Sequence, residues 1–191
     1  MTAPLRDRTR ALLRAELADA VLAVFLERGY SAVTVEEAAR EAGVSRATFF
    51  RYFRSKEDVV VAAVEGDRVD YAAPVRALPA ESALSGWELV RASVEPVVVV
   101  ATREPEVYRA RLRLISSEFA LKARLRERRA EGAEALADSI AARGVEPLTA
   151  RVLAAAGLAA VDVVWEEWAA HEDADFRTMV DEAFARLRAG A

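Results

Sequence analysis

Between Thr34 and Asp58 the chain reads TVEEAAREAGVSRATFFRYFRSKED, and three helix starts fall inside that stretch. Thr34 followed by Glu37 is a capping-box pattern: the threonine hydroxyl accepts from the amide of residue 37 while the glutamate carboxylate accepts from the amide of residue 34. A helix therefore starts at Val35. Its apolar positions, Val35, Ala38, Ala39 and Ala42, recur at helical spacing and are small, which lets a second helix come close. Gly43 supplies the left-handed residue that ends it, and Val44 turns inward. Ser45 caps the next helix, whose inner face is Phe49 and Phe53, leaving Arg46, Ala47, Thr48, Phe50, Arg51 and Tyr52 to its flanks and to solvent. Ser55 with Asp58 opens a further helix. Helix, short turn, helix is the geometry that lays one short helix into the major groove of DNA.

The same residues carry a resemblance. GVSRATFFRYFRSKEDVV resembles the recognition-helix signature of the TetR-type repressors. The preceding helix from Arg10 to Arg28, then Gly29-Tyr30 and the Thr34 segment, follow that family's order, so the resemblance covers about residues 10 to 62. It implies an all-α protein with an N-terminal three-helix helix-turn-helix module, residues 1–56, and a C-terminal helical effector-binding and dimerisation domain, residues 57–191. Against a DNA duplex, Arg46, Ala47, Thr48 and Arg51 are expected at base edges or groove walls, arginine being best suited to guanine O6 and N7. Thr34, Ser45, Tyr52 and Lys56 are expected at phosphates, because helix amino-termini, hydroxyls and cations favour anions. One departure stands out: the family usually has tyrosine where Phe50 stands, so a polar contact is lost or replaced by apolar contact with a thymine methyl.

The chain has 191 residues, 53% of them hydrophobic, which suits one small module plus a larger helical domain with its own core. Its formal net charge is −4. Residues 1–56, however, hold ten Lys/Arg against seven Asp/Glu, and the remainder seventeen against twenty-four. The positive end coincides with the helix-turn-helix, and the acidic remainder opposes nonspecific adhesion; taken alone, the same excess also suits a solvated face. There are no cysteines and only one histidine, which excludes disulfides and thiolate zinc sites and fits a reducing cytoplasm. Arg14, Glu16 and Asp19 interrupt the early apolar residues, so neither a signal peptide nor a membrane span is expected there. No nucleophile elbow, phosphate loop, metal-ligand set or dinucleotide signature is present, so neither an enzyme nor a cofactor is expected.

Helical periodicity predicts about nine helices. The first, 9–28, faces Leu13, Leu17, Val21, Val24 and Phe25 inward; Arg6, Arg8 and Arg10 at its start read either as a disordered arm reaching for phosphate or as a polar tail. A helix from 56 to about 70 follows, broken by Tyr71-Ala-Ala-Pro74 and Pro79. The second region begins at Ser85 or Trp87; VVVVA at 97–101 suits a buried strand by its β-branching, but no second strand-like run exists to pair with it, so helix is expected there, followed by helices from Pro105 to about 116, from 119 to 143, near 148–170 and near 174–188. On the 119–143 helix Arg124, Arg126, Arg128 and Arg129 are expected to point outward. The penultimate helix is apolar around nearly its whole circumference, so it lies either between two copies of the chain or at the centre of a monomeric core. The TetR resemblance implies the former, a dimer through the last two helices, with Val152, Ala156, Gly157, Ala160, Val163 and Phe184 at the interface.

Trp87, Tyr108, Leu112, Phe119, Trp165 and Trp168 are the candidates for lining an effector cavity, with core packing the competing explanation; His171, near a helix end, serves as well to cap carbonyls. The segment RARLRLISSEFALKARLRERRAEGAEALADSIAARG is similar to the C-terminal domain of mycofactocin-regulator-type TetR proteins, which implies an acyl-CoA or another apolar or amphipathic effector, with Arg111, Arg113 and Lys122 near an acidic head group or simply solvated. The resulting expectation is a dimeric, ligand-released repressor acting on a palindromic DNA operator. A helical small-molecule or lipid-binding protein without DNA function is the alternative.

Overall fold

The computed structural model describes residues 5–65 and 69–190. All regular structure among them is helical: α1 Leu5–Arg28, α2 Val35–Glu41, α3 Arg46–Tyr52, α4 Lys56–Glu65, α5 Ala72–Ala77, α6 Gly86–Ser93, α7 Glu95–Arg103, α8 Pro105–Ser117, α9 Phe119–Ala141, α10 Pro147–Ala170 and α11 Phe176–Ala189. They fall into two compact units, one of residues 1–68 with 114–124, the other of residues 69–113 with 125–191.

In the first unit the local signals produce the expected elements. Both halves of the Thr34 capping box form: the Glu37 amide donates to Thr34 Oγ1 at 3.2 Å and the Thr34 amide to Glu37 Oε2 at 2.8 Å. Gly43 adopts φ +76°, and the amides of Gly43 and Val44 donate to the carbonyls of Arg40 and Ala39 at 3.1 and 2.9 Å, satisfying the end of α2. α2 packs on α3, and α1 on α2 and α4, around Ala18, Val21, Leu22, Phe25, Phe49 and Phe53, each at most 1% exposed. Every such large side chain contributes about 1.5–3 kcal/mol by leaving water. Two readings at the start of α1 are corrected. The helix begins at Leu5, with Thr9 Oγ1 donating back to the Leu5 carbonyl at 3.0 Å, so Arg6 and Arg10 stand on a helix rather than on a disordered arm. Leu13 is 48% exposed, because the inner stripe of α1 begins only at Leu17. The expected continuation of α4 through residues 66–68 lies outside the described residues.

The second unit is built on α6, which packs against α5, α10 and α11. The all-α class expected from the sequence is realised with eleven helices among the described residues, against about nine expected, and the two additional ones arise in this unit. Asp70 Oδ1 accepts from the amides of Ala72 and Ala73, both at 3.0 Å, and so starts a short helix, α5, across the expected break; Pro74 is tolerated in its first turn. The expected helix through residue 101 splits in two at Pro96, whose ring nitrogen cannot continue the ladder of α6 and instead sits in the first turn of α7. VVVVA is helical, as expected. α10 is long and apolar enough, by length and composition, to cross a bilayer; in the structure Ala150, Leu153, Ala154, Leu158, Val161 and Val164 on one face are buried, while Val152 and Val163 on the other are 57% and 61% exposed.

Candidate nucleic-acid interface and effector region

Ser45 fixes the start of α3: its hydroxyl accepts from the Thr48 amide at 3.1 Å and lies 3.0 Å from the Thr48 hydroxyl. Phe49 and Phe53 are buried with ring centroids 5.4 Å apart, which anchors the helix and turns Arg46, Ala47, Phe50 and Arg51 to solvent, with Thr48 and Tyr52 less exposed on its flanks. Phe50 is 42% exposed, an apolar surface on an otherwise polar face. The Arg46 guanidinium lies 4.8 Å from the Phe50 ring centroid and donates to Glu36 Oε1 at 2.5 Å. That bond is the main reason the Glu36 carboxyl sits below the usual carboxylate range. Arg51 lies over the Tyr52 ring at 5.1 Å, and Thr34 is exposed at the start of α2.

Lys56 is placed differently from the phosphate contact expected of it. Its ammonium lies 4.1 Å from the Tyr30 ring centroid and 4.8 Å from that of Phe25, and donates to the carbonyls of Tyr30 and Val33. Cation–π attraction and two carbonyls between α1 and α2 hold it inward. Burial pushes its pKa down, with Glu57 and Glu118 opposing. The neighbouring Tyr30 hydroxyl donates to Glu57 at 2.8 Å and is raised in pKa by burial first and by that carboxylate second.

Two features beside α3 go beyond what the sequence pattern announces. A groove of about 750 Å³ is lined by Leu5, Arg6, Arg10, Leu13, Arg51 and Tyr52, bringing three guanidinium side chains around the carboxyl end of α3; the helical spacing of Arg6 and Arg10 is the one signal for it. Asp58, 6% exposed, faces both Arg14 and Arg124. Sixty-six positions separate Asp58 from Arg124, and no local pattern points to that pair.

Of the residues expected to line an effector cavity, Tyr108, Leu112, Trp165 and Trp168 are buried together in the second unit. Their rings are packed: Tyr108 stands 5.7 Å from Trp165 and 6.3 Å from Trp168, and Trp168 stands 5.0 Å from Phe176. Trp168 Nε1 donates to the Ala174 carbonyl at 2.9 Å. Trp87 is half-buried beside a cleft of about 120 Å³ with Arg91 and Phe184. Phe119 is corrected outright: it is 84% exposed at the first position of α9, within the first unit. An open hollow of about 770 Å³ lies between α9 and α10 instead, among Arg126, Ala133, Ala137, Arg151, Ala155 and Ala159. Arg129, expected outward, is 4% exposed; it pairs with Asp162 and lies 3.8 Å from the Trp165 ring centroid, since a flat, weakly hydrated guanidinium stacks on an indole at little desolvation cost. Arg113 donates to the Ala169 carbonyl at 2.9 Å, and His171 Nδ1 lies 2.8 Å from the Glu167 carbonyl at the end of α10.

The residues expected at a dimer interface separate into two groups. Val152 and Val163 are exposed, with Ala156 and Ala160 half-buried alongside. Gly157 and Phe184 are turned inward: Phe184 is 5% exposed, and a Cβ at Gly157 would drive into Val90 and touch Phe184 at 3.6 Å. The small residue at 157 serves the approach of α6 to α10 within one chain.

A capped helix-turn-helix with an exposed arginine-bearing second helix, followed by a helical unit containing a sizeable hollow, defines a DNA-binding regulator of the one-component kind. The comparisons agree. The pattern for bacterial regulatory proteins of the tetR family matches residues 17–63, and that for the MftR C-terminal domain matches residues 84–191. The HTH-type transcriptional regulator TcmR of Streptomyces glaucescens is 30% identical over 184 residues, covering 92% of this chain and 81% of that protein. AlkX of Mycobacterium tuberculosis is 41% identical over 54 residues, 28% of this chain and 26% of that protein. Among solved structures, the transcriptional regulator FadR from Bacillus subtilis in complex with stearoyl-CoA has a TM-score of 0.60 at 18% identity, covering 92% of this chain and 98% of that one. The fatty acid degradation regulator FadR from Bacillus halodurans has a TM-score of 0.59 at 18% identity, covering 91% and 93%. The chain belongs to the TetR family of transcriptional regulators.

Proposed function

We propose that the chain is a cytoplasmic, homodimeric repressor that binds a palindromic operator and leaves it on binding an apolar or amphipathic effector. Its DNA-binding domain is residues 1–56 and its effector-binding and dimerisation domain residues 57–191. The observation that carries the reading is the outer face of α3, where Arg46, Ala47, Phe50 and Arg51 are exposed on a helix whose opposite side is anchored by Phe49 and Phe53. Arg46, Ala47, Thr48 and Arg51 address base edges, with Phe50 against a thymine methyl; Thr34, Ser45 and Tyr52 take phosphates. Pairing through α10 and α11 covers the face bearing Val152, Ala156, Ala160 and Val163, and the exposure of Val152 and Val163 in one copy supports it. A long-chain acyl-CoA is the effector class favoured by the match to the MftR C-terminal domain and by the stearoyl-CoA complex of the B. subtilis relative.

The test is a mobility-shift titration on a pool of random-sequence duplexes, with and without stearoyl-CoA. Binding that falls steeply and log-linearly with salt, and that weakens about 5- to 150-fold on adding the acyl-CoA, is expected. Acyl-CoA binding with no salt-dependent DNA binding identifies a helical carrier instead, and DNA binding indifferent to acyl-CoA removes that effector class.

A further inference from the structure

We infer that Arg124, a residue of α9 far outside the helix-turn-helix segment, is a positioning residue for DNA reading, acting through Asp58 and Arg14 on the carboxyl end of α3. The inference deepens the DNA-binding reading and rests on it. α3 spans only Arg46–Tyr52, too short to hold a direction by itself. Ser45 and the buried Phe49 and Phe53 fix its start and inner face. At its far end, Arg14 Nε donates to the carbonyl of Tyr52, the last residue of α3, at 3.1 Å, and the Arg14 guanidinium lies 4.8 Å from the ring centroid of Phe53, the next residue.

Asp58 holds that guanidinium in turn. Its Oδ2 lies 3.8 Å from Arg14 Nη2 and accepts from the Arg54 amide at 3.2 Å, while its Oδ1 accepts from Arg124 Nη2 at 3.0 Å. One nearly buried carboxylate thus joins α1, α4 and α9. Burial pushes the Asp58 carboxyl up, but the Arg54 amide, Arg124 and Arg14 together outweigh it and leave its pKa below the usual value. A second contact fixes the same stretch of chain: Glu118 Oε1 accepts from Ser31 Oγ at 3.2 Å, in the turn before α2. Residues 118–124 therefore grip the reading module at the approach to α2 and at the first turn of α4.

Asp58 also takes part in capping α4, since its amide donates to the hydroxyl of Ser55, the residue before the helix, at 3.2 Å. Were that its only part, Arg124 would have no bearing on DNA. The experiment compares the unmodified chain, Arg124→Gln, Arg124→Lys, Asp58→Asn and the Asp58→Asn/Arg124→Gln pair on one duplex that the unmodified chain retains, across a salt series, with circular dichroism confirming the fold of each. Arg124→Gln is expected to weaken binding about five- to tenfold while leaving the slope of log affinity on log salt unchanged, because no phosphate contact is removed. Arg124→Lys recovers part of the loss, and the pair binds no more weakly than Asp58→Asn alone.

Binding by Arg124→Gln within about twofold of the unmodified chain, a slope reduced by about one as for a phosphate contact, or additive losses in the pair would overturn the inference. Should Asp58→Asn not fold, the affinity and slope of Arg124→Gln decide by themselves. If the unmodified chain retains no duplex, the DNA-binding reading itself falls and takes this inference with it, a result distinct from the three above.

Discussion

Arg46 is held in place before any DNA arrives. Glu36 Oε1 accepts a hydrogen bond from its Nε and the Phe50 ring lies beneath its guanidinium, so the side chain proposed for a base edge stands partly ordered on an exposed face. Exchanging the exposed Glu36 carboxylate for guanine O6 and N7 replaces one charge-assisted bond by a bidentate pair. Arg46→Ala is accordingly expected to cost about 1–3 kcal/mol on the preferred duplex and to flatten discrimination at one base position; affinities for a set of single-base variants check this, and unaltered discrimination at lower affinity would assign Arg46 to phosphate. At this scale the sequence is legible where geometry is local. Ser45, Phe49 and Phe53 follow from spacing alone. Lys56 does not, because its fate is set by the rings of Phe25 and Tyr30, which helical periodicity does not bring beside it, and Arg129 behaves the same way against Trp165.

Among the elements, those that begin at a capping box or a capping serine and end at a glycine are readable, and those set by a lone Pro or Asp, or by packing, are less so. Thr34, Gly43 and Ser45 place α2 and α3 to the residue, whereas Pro96 and Asp70 make two additional helices from stretches whose apolar pattern is continuous or interrupted for other reasons. Two glycines show the difference and are testable together. Gly43 has φ +76°, and a methyl group there would meet nothing within 4 Å, so Gly43→Ala costs backbone strain alone, about 1–2 kcal/mol. Gly157 has ordinary helical geometry, but the buried Val90 stands where its Cβ would go, so Gly157→Ala costs about 1–3 kcal/mol by overpacking α6 against α10. Urea midpoints measure both. A Gly157→Ala protein as stable as its parent would return that glycine to the exposed face with Val152 and Val163.

For the whole molecule, the division into a positively charged reading end and an acidic remainder is visible in the distribution of charge, as is the all-helical class. The membership of residues 114–124 is not: a stretch early in the C-terminal half of the chain completes the first unit through Glu118 and Arg124, and contacts at such separation leave no periodic trace. Nor do the aromatics announce that they fill their own space, leaving the hollow to the alanine-rich faces of α9 and α10. The central claim is that two copies present the outer face of α3 to one duplex by twofold symmetry. Selection of bound sequences from random duplex DNA tests it most directly: an inverted repeat with half-site centres about one helical turn, roughly 34–36 Å, or a multiple apart is predicted, and enrichment of a single asymmetric site, or of nothing, would contradict it.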